Sequence, residues 1–397
     1  MVKHKFNRFL VLVTIFALVF TFVPFNSKAA NPISLTEQDF VDSIVTPGVA
    51  TSKGIIYNDY LHTFDLLPNS YVFAEDIDFG EFRIIVTNDG EFILDLNNKT
   101  LHSTSESPLI TFNTGKVTIT GNGKVESGVA ASMSLYNCEA TVVNGTFDKM
   151  ITSGADKGKT AKIVIEDATC KGVLVRGEGA ELTINDGTYE ALINPAVQIV
   201  DGASIVINDG TFISGVETLV TQTDYFKDPT TGEWYIGAVP KSVTINGGTF
   251  TCTGEIPEYS DDFPKGALFF YDCEKVVLNG GTFNSSDNSY GGIIILSNDD
   301  AQSVINSFLG NGYSYNEPLS VEEKDVSKIE YYNINGRKCY ASQKNISVVK
   351  ASQPDSNVPD SGNSDSNNSD DNSKIKPPKT GDVFLSWIFD IIGVIND

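Results

Sequence analysis

A short repeat constrains the fold of this chain more than any other feature of its sequence. The string "VTINGGTF" at 243–250 returns as "VVLNGGTF" at 276–283, and related strings precede both. The earlier copies end at Leu101, Val125, Phe147, Cys170, Tyr189 and Phe212, so the steps up to Phe283 are 24, 22, 23, 19, 23, 38 and 33 residues. A unit of about 20–25 residues with insertions is typical of a solenoid, in which each unit contacts only its neighbours.

The pattern inside one unit indicates which solenoid this is. Residues 196–214, "AVQIVDGASIVINDGTFIS", contain three short runs of alternating apolar residues, separated by Asp201-Gly202 and Asp209-Gly210. Asp and Gly at these positions favour tight turns, and no run has a helical period. We therefore predict an all-β fold, a right-handed parallel β-helix of about eight coils with short capping elements at both ends.

The two caps are predicted from segments that flank the repeat. "SLTEQDFVDSIVT" has the spacing of a short helix with Ser34 or Thr36 as N-cap, and "DDAQSVINSFLGNGYSY" indicates a second helix preceded by Asp299-Asp300. Strands are expected around "KIEYYNI" and "NISVV". Caps are expected because an uncovered terminal coil is an open edge. Residues 32–350 then form one domain.

Asparagine occupies one position of the repeat in six coils. These residues are Asn97, Asn144, Asn185, Asn208, Asn246 and Asn279, with Thr120 and Glu166 at the same position in the other two coils. Amides stacked in register could hydrogen-bond along the rod as a ladder. Alternatively, asparagine is present only because it suits a tight turn.

The repeat and its start, "SYVFAEDIDFGEFRIIVTNDGEFILDLNNKTL", resemble the pectate-lyase-like parallel β-helix domains of Gram-positive surface proteins. The resemblance covers roughly residues 70–350 and implies a surface-exposed rod. Because one fold supports many activities, it says little about function.

The first 29 residues have the features of a secretory signal peptide. Basic residues are followed by an apolar run from Phe9 to Val23 and by small residues, Ser27 and Ala29, before the expected cleavage. A membrane anchor is the alternative. Removing four of the 28 basic residues leaves 24 against 51 acidic ones, a net charge of −27. This charge disfavours nucleic acid and anionic lipid as partners.

The end of the chain resembles the tail of a wall-attached protein. Residues 351–376 are rich in Ser, Asn and Asp and are expected to be a disordered spacer. Residues 377–397 resemble an LPxTG cell-wall sorting signal, with Pro378, Lys379, Thr380 and Gly381 matching and Pro377 in place of Leu. The resemblance implies that a sortase joins Thr380 to peptidoglycan. The apolar run that follows is shorter than a membrane span and lacks the usual basic end.

The five cysteines do not suggest a disulfide framework or a zinc site. Cys138 and Cys273 occupy the same position in distant coils, and no CxxC spacing occurs. We expect most of these residues to be buried thiols, and no cofactor is predicted, although Ca²⁺ is possible.

Function is expected where the repeat is interrupted. "TDYFKDPTTGEWYIGAVP" follows the first strand of one coil, and "TGEIPEYSDDFPKG" precedes the first strand of the next. The two insertions flank the same sheet. Candidate ligand-binding residues are Tyr225, Trp234, Tyr235, Tyr259, Asp261 and Asp262, together with Tyr271 on the sheet. Aromatic faces stack on sugars and carboxylates accept hydroxyl hydrogen bonds. The alternative is that these aromatic residues only pack the loops against the rod.

An enzyme of the β-helix type is a second hypothesis. Polysaccharide lyases with a β-helix fold use a Lys or Arg base beside Ca²⁺. In this chain, Arg176 or Lys171 could supply the base, and Asp261-Asp262 could hold the ion. We identify no clear catalytic residue. The sequence therefore predicts an exported protein of the Gram-positive cell wall that acts as an adhesin or carbohydrate-binding module. The alternatives are a polysaccharide lyase or hydrolase, and a structural surface protein.

Overall fold

A computed structural model describes residues 31–129, 131–223, 225–227, 234–255, 264–326 and 337–351, with only the backbone described at 225–227 and 234–236. The strands from Ile33 onward belong to one compact unit. They form three long sheets, which we call sheets A, B and C. In each coil the chain passes from sheet A to sheet C and then to sheet B. The predicted parallel β-helix is confirmed.

Sheet A has ten strands, all paired in parallel. Its strands are Ile33–Leu35, Ser70–Phe73, Glu91–Asp95, Lys116–Thr120, Glu139–Val142, Ala161–Ile165, Ala180–Ile184, Ser204–Ile207, Ser242–Ile245 and Val276–Leu278. Alternate residues point inward, as Ile205 and Ile207 do beside Leu182 and Ile184. Because the side-chain period is two, this register places the whole apolar set in the core.

Sheet C carries the "GTF" end of each repeat. Its strands are Ile77–Asp78, Thr100–Ser103, Lys124–Ser127, Thr146–Phe147, Thr169–Cys170, Thr188–Ala191, Thr211–Ser214, Thr249–Cys252, Thr282–Ser285, Asn345–Lys350 and Tyr313–Tyr315. The last two of these eleven strands pair antiparallel, which leaves nine parallel strands. The rod therefore has about nine turns, one more than the repeat count, because the strand at Ile77 lacks the repeat's sequence.

Sheet B completes each coil and also forms both ends of the rod. Its strands are Ile55–Asn58, Thr63–Leu66, Arg83–Val86, Ile110–Phe112, Ala131–Tyr136, Met150–Gly154, Val173–Arg176, Val197–Val200, Leu219–Gln222, Gly266–Phe270, Gly291–Ser297, Lys338–Ser342 and Val321–Lys324. The first pair and the last two pairs are antiparallel. Reversing the strand direction at each end stops the parallel stacking.

Two short helices lie beside the terminal coils. Helix α1, Glu37–Ile44, begins after Thr36, whose backbone N–H donates to Asp39 Oδ2 at 2.7 Å. Helix α2, Ala301–Asn306, begins after Asp300, whose side chain accepts the N–H of Ser303. Of the predicted strands, "NISVV" lies in Asn345–Lys350, and "KIEYYNI" falls outside the described residues.

The repeated aromatic residue forms a stack inside the rod. Tyr189, Phe212, Phe250 and Phe283 follow one another in sheet C, each fully buried. The first two ring pairs lie 4.8 and 4.6 Å apart and within 9° of parallel. Cys170 precedes Tyr189 in this column as a free, buried thiol, and burial raises its pKa to about 12. All five cysteines are free.

The asparagine position forms a hydrogen-bonded ladder in consecutive coils. Each Nδ2 donates to the Oδ1 of the preceding coil, from Asn279 to Asn246 at 2.9 Å, from Asn246 to Asn208 at 2.7 Å and from Asn208 to Asn185 at 2.7 Å. Asn185 then donates to the Glu166 carboxylate at 2.6 Å. The carboxylate ends the ladder because it can only accept.

Two of the six asparagines do not join this ladder. Asn97 donates instead to the carbonyl of Phe73 at 2.9 Å, and Asn144 Oδ1 is buried without a hydrogen-bond partner within the described residues. Thr120 and Glu166 separate these two coils from their asparagine neighbours in the stack. An amide ladder therefore requires asparagine in adjacent coils.

Replacing Asn208 with alanine is expected to lower the free energy of unfolding by about 0.5–1.5 kcal/mol, because two hydrogen bonds of the ladder are lost at solvent-exposed amides. Urea denaturation followed by circular dichroism measures this loss. Asn306→Ala, at an exposed residue outside the ladder, is the control and is expected to change stability by less than about 0.5 kcal/mol. Equal effects of the two substitutions would mean that the ladder adds no stability.

Candidate functional site

The two insertions leave the rod at opposite ends of adjacent strands of sheet B. The first begins after Leu219–Gln222, and the second ends before Gly266–Phe270, which pairs with it in parallel. The first contains an antiparallel hairpin of Tyr225–Lys227 and Trp234–Ile236, in which Lys227 is opposite Trp234 and Phe226 is opposite Tyr235. The outer face of sheet B thus lies between the two insertions.

Several predicted ligand-binding residues cannot be placed by their side chains. Only the backbone is described for Tyr225, Trp234 and Tyr235. Tyr259, Asp261 and Asp262 fall outside the described residues, as do the predicted signal peptide and sorting signal.

The first insertion rejoins the rod at a turn that also contacts Arg176. The N–H of Ala238 donates to Asp201 Oδ1 at 2.8 Å, and Asp201 Oδ2 lies 3.7 Å from Nε of Arg176. The side chains of Arg176 and Asp201 retain only 21% and 15% exposure. This ion pair joins the sheet to the returning end of the insertion.

Arg176 belongs to an outward column of equivalent residues in sheet B. The column runs through Tyr136, Gly154, Arg176 and Val200 in register. A Cβ on Gly154 would lie 2.5 Å from the Tyr136 ring, so the ring covers this glycine. The column therefore presents an aromatic face and a guanidinium two coils apart.

The structure separates Lys171 from Arg176. Lys171 is exposed and precedes the strand Val173–Arg176, whereas Arg176 ends it. The strand from Val173 to Arg176 spans roughly 10 Å, and Lys171 lies in the turn before it. Lys171 and Arg176 therefore lie at opposite ends of one strand of sheet B.

Tyr271, another predicted ligand-binding residue, packs against an arginine. The guanidinium of Arg337 lies 4.8 Å from the centre of the Tyr271 ring and donates to Asp272 Oδ1 at 2.7 Å. Burial raises the pKa of Asp272, and Arg337 opposes this shift. Arg337 thereby compensates the buried carboxylate and holds the strand of the C-terminal cap on the rod.

An apolar cluster on the outer face of sheet B explains this packing. Its members are Val220, Phe269, Ile294, Leu296, Val326, Cys339 and Ala341, with Tyr271 and Tyr290 against them. The C-terminal cap supplies Val326, Cys339 and Ala341. In the last coils, the outer face of sheet B is thus a second small core, and Tyr271 is part of it.

Two charged residues before adjacent strands of sheet B, Glu217 and Lys265, were not predicted as site residues from the sequence. Lys265 is buried, with 3% exposure, and Glu217 lies in the preceding coil. Burial raises the pKa of Glu217 to about 7, and the charge of Lys265 opposes this shift. A carboxyl group that titrates near neutral pH suits proton transfer. No local signal in the sequence distinguishes Glu217 from other acidic residues.

The described residues contain neither a candidate metal site nor a candidate membrane-spanning helix. Across those ranges, no three His, Cys, Asp or Glu side chains cluster closely enough to hold a metal ion. Within the same part of the chain, no helix has the length and apolar character needed to cross a membrane.

Comparison of the chain with family models, with curated proteins and with solved structures finds no match in any of the three.

Proposed function

We propose that the protein is an exported surface rod that binds carbohydrate through its two insertions, along the outer face of sheet B next to the small core formed with the C-terminal cap. The observation that carries this proposal is the position of the insertions, which leave opposite ends of adjacent sheet B strands. A solenoid is a rigid scaffold whose functional sites lie in such additions. The hairpin of the first insertion brings Trp234 and Tyr235 opposite Lys227 and Phe226.

The charges near this face favour a neutral glycan or one bound through Ca²⁺. Arg176 is paired with Asp201, and Arg337 is paired with Asp272, so both cations are already neutralised. A protein with 51 acidic and 28 basic residues attracts few anionic polymers. Export and wall attachment are supported by the sequence of the two termini, with Thr380 as the proposed sortase acceptor residue.

The substitution Trp234→Ala is expected to weaken binding of the glycan by about tenfold or more, because stacking on the sugar is lost. A glycan array, with and without Ca²⁺, identifies the ligand, and calorimetry measures the loss. Trp234→Phe is the matched control, since it keeps an aromatic face and should retain most of the affinity. Unchanged binding in Trp234→Ala would place the ligand away from the first insertion.

The second candidate function is a polysaccharide lyase or hydrolase, favoured by Glu217 with its pKa near 7 beside the buried Lys265. Mass spectrometry of each bound polysaccharide after incubation distinguishes the candidates. Intact polymer supports a binding module. Unsaturated or shortened products support an enzyme and make Glu217, rather than Lys171, the first residue to replace.

A further inference from the structure

An open depression lies at the N-terminal cap, far from the two insertions. It is a shallow depression of about 760 Å³, largely open to solvent, and its lining residues are Pro47, Gly48, Ile56, Tyr57, Asn58, Asp59, Tyr60 and His62. Small-molecule sites usually measure about 300–1,000 Å³. One wall is the turn after helix α1, and the other is the hairpin of Ile55–Asn58 and Thr63–Leu66. The N–H of Gly48 joins the walls by donating to the carbonyl of Tyr57 at 2.8 Å.

The tip of the hairpin is held in a fixed shape. Asn58 Oδ1 accepts the backbone N–H groups of Tyr60 and Leu61, each at 3.1 Å. His62 has a φ of 53°, which is uncommon for a residue other than glycine. Its ring stacks on Phe82 at 5.9 Å and 29°.

The polar groups around the depression are positioned by neighbours. The Tyr57 hydroxyl bonds to Asp59, and burial together with this carboxylate raises the pKa of Tyr57. Because Oδ1 of Asn58 already accepts two hydrogen bonds, its Nδ2 group remains to donate outward. The lining thus combines a carboxylate, an amide and an imidazole, and none of its described residues is Lys or Arg.

Tyr60 differs from these residues because its side chain does not pack against the other described residues of the protein. Its side chain is 92% exposed, and no hydrogen bond, ion pair or ring contact to it occurs within the described chain. Val49 and Leu61 are also exposed nearby in sequence. The tyrosine therefore does not pin the hairpin onto the rod, and its ring is available to a ligand.

We propose that this cap depression binds a sugar residue of a neutral glycan. The Tyr60 ring stacks on the C–H face of the sugar, while Asp59, Asn58 and His62 hydrogen-bond its hydroxyl groups. The lack of a basic lining residue disfavours anionic sugars. No described residue of the two insertions lines the depression, so this inference stands without the function proposed above.

The cap site lies far enough from the first insertion for both to contact one long glycan. Thr63–Leu66 and Leu219–Gln222 are seven rungs apart in sheet B, a distance of about 34 Å at 4.8 Å per strand. Two contacts at that spacing would let one long glycan, or two neighbouring chains, bind a single rod. Linked contacts of this kind raise the overall affinity without new chemistry.

The test measures binding of cellohexaose, mannohexaose, galactohexaose and chitohexaose to the full chain by saturation-transfer NMR and calorimetry. At least one probe is expected to bind, and Tyr60→Ala is expected to weaken that binding about tenfold or more. Tyr60→Phe keeps the ring and should bind within about threefold of the unmodified chain. Because Tyr60 is exposed, neither substitution should change the melting temperature.

Three outcomes would overturn the inference: no probe binds, Tyr60→Ala binds as well as the unmodified chain, or Tyr60→Ala converts a dimer into a monomer. The last result would make the patch a self-association surface. Trp234→Ala serves to separate the two sites. Binding lost in Trp234→Ala but kept in Tyr60→Ala supports only the insertion site, and the reverse supports only the cap site.

Discussion

Replacing Phe212 with alanine is expected to lower the free energy of unfolding by about 3–5 kcal/mol, the usual loss for a buried aromatic residue. Phe212 lies inside the aromatic stack and is fully buried. Its ring lies 4.8 Å from Tyr189 and 4.6 Å from Phe250, nearly parallel to both. The substitution therefore opens a cavity that borders two other coils.

Urea denaturation measures this loss, and hydrogen exchange shows where it acts. Ile213→Ala, at a half-buried residue in the same strand, is the control and is expected to cost about 1 kcal/mol or less. Because each coil contacts only its neighbours, exchange should increase first in Thr188–Ala191 and Thr249–Cys252. A loss of under about 1 kcal/mol for Phe212→Ala would show that the neighbouring rings close the gap.

The stack also shows why the sequence predicts this fold so well. Strand pairing in a parallel β-helix joins equivalent residues of successive repeats, so aligning "INDGTF" with "INGGTF" already aligns Phe212 with Phe250. The same alignment places Asn208 beside Asn246. In a repeat protein, the alignment of the repeats therefore also predicts which residues pair between neighbouring strands, and few other folds allow this.

The candidate sites depend on contacts that the repeat does not encode. Arg337 reaches Tyr271 across 66 residues, and this contact turns a predicted ligand residue into part of a small core. Glu217 and Lys265 precede paired strands of adjacent coils, and this stacking lets the charge of Lys265 act on Glu217. Tyr60 is one of 15 tyrosines in the sequence, and only its exposure distinguishes it.

Replacing Gly187 with alanine is expected to cost about 2–4 kcal/mol, the sum of backbone strain and a steric clash. Gly187 is the glycine of "NDGTY" and has a φ of 126°. An added Cβ would lie 2.4 Å from the carbonyl oxygen of Ala168, in the neighbouring coil. That oxygen accepts the N–H of Thr188 at 2.8 Å, so it cannot move without breaking a rung of sheet C.

Gly158→Ala separates the two contributions to this loss. Gly158 has a φ of 78°, and an added Cβ would meet no atom within 4 Å, so only the backbone strain of about 1 kcal/mol remains. The difference between the two variants in urea denaturation measures how rigidly adjacent coils hold their spacing. Equal losses would mean that the rungs separate freely to admit a methyl group. A larger loss at Gly187 would mean that the coil containing Ala168 leaves no room for a side chain at this position. The close spacing of the coils would then explain the glycine beside the stacked aromatic residue.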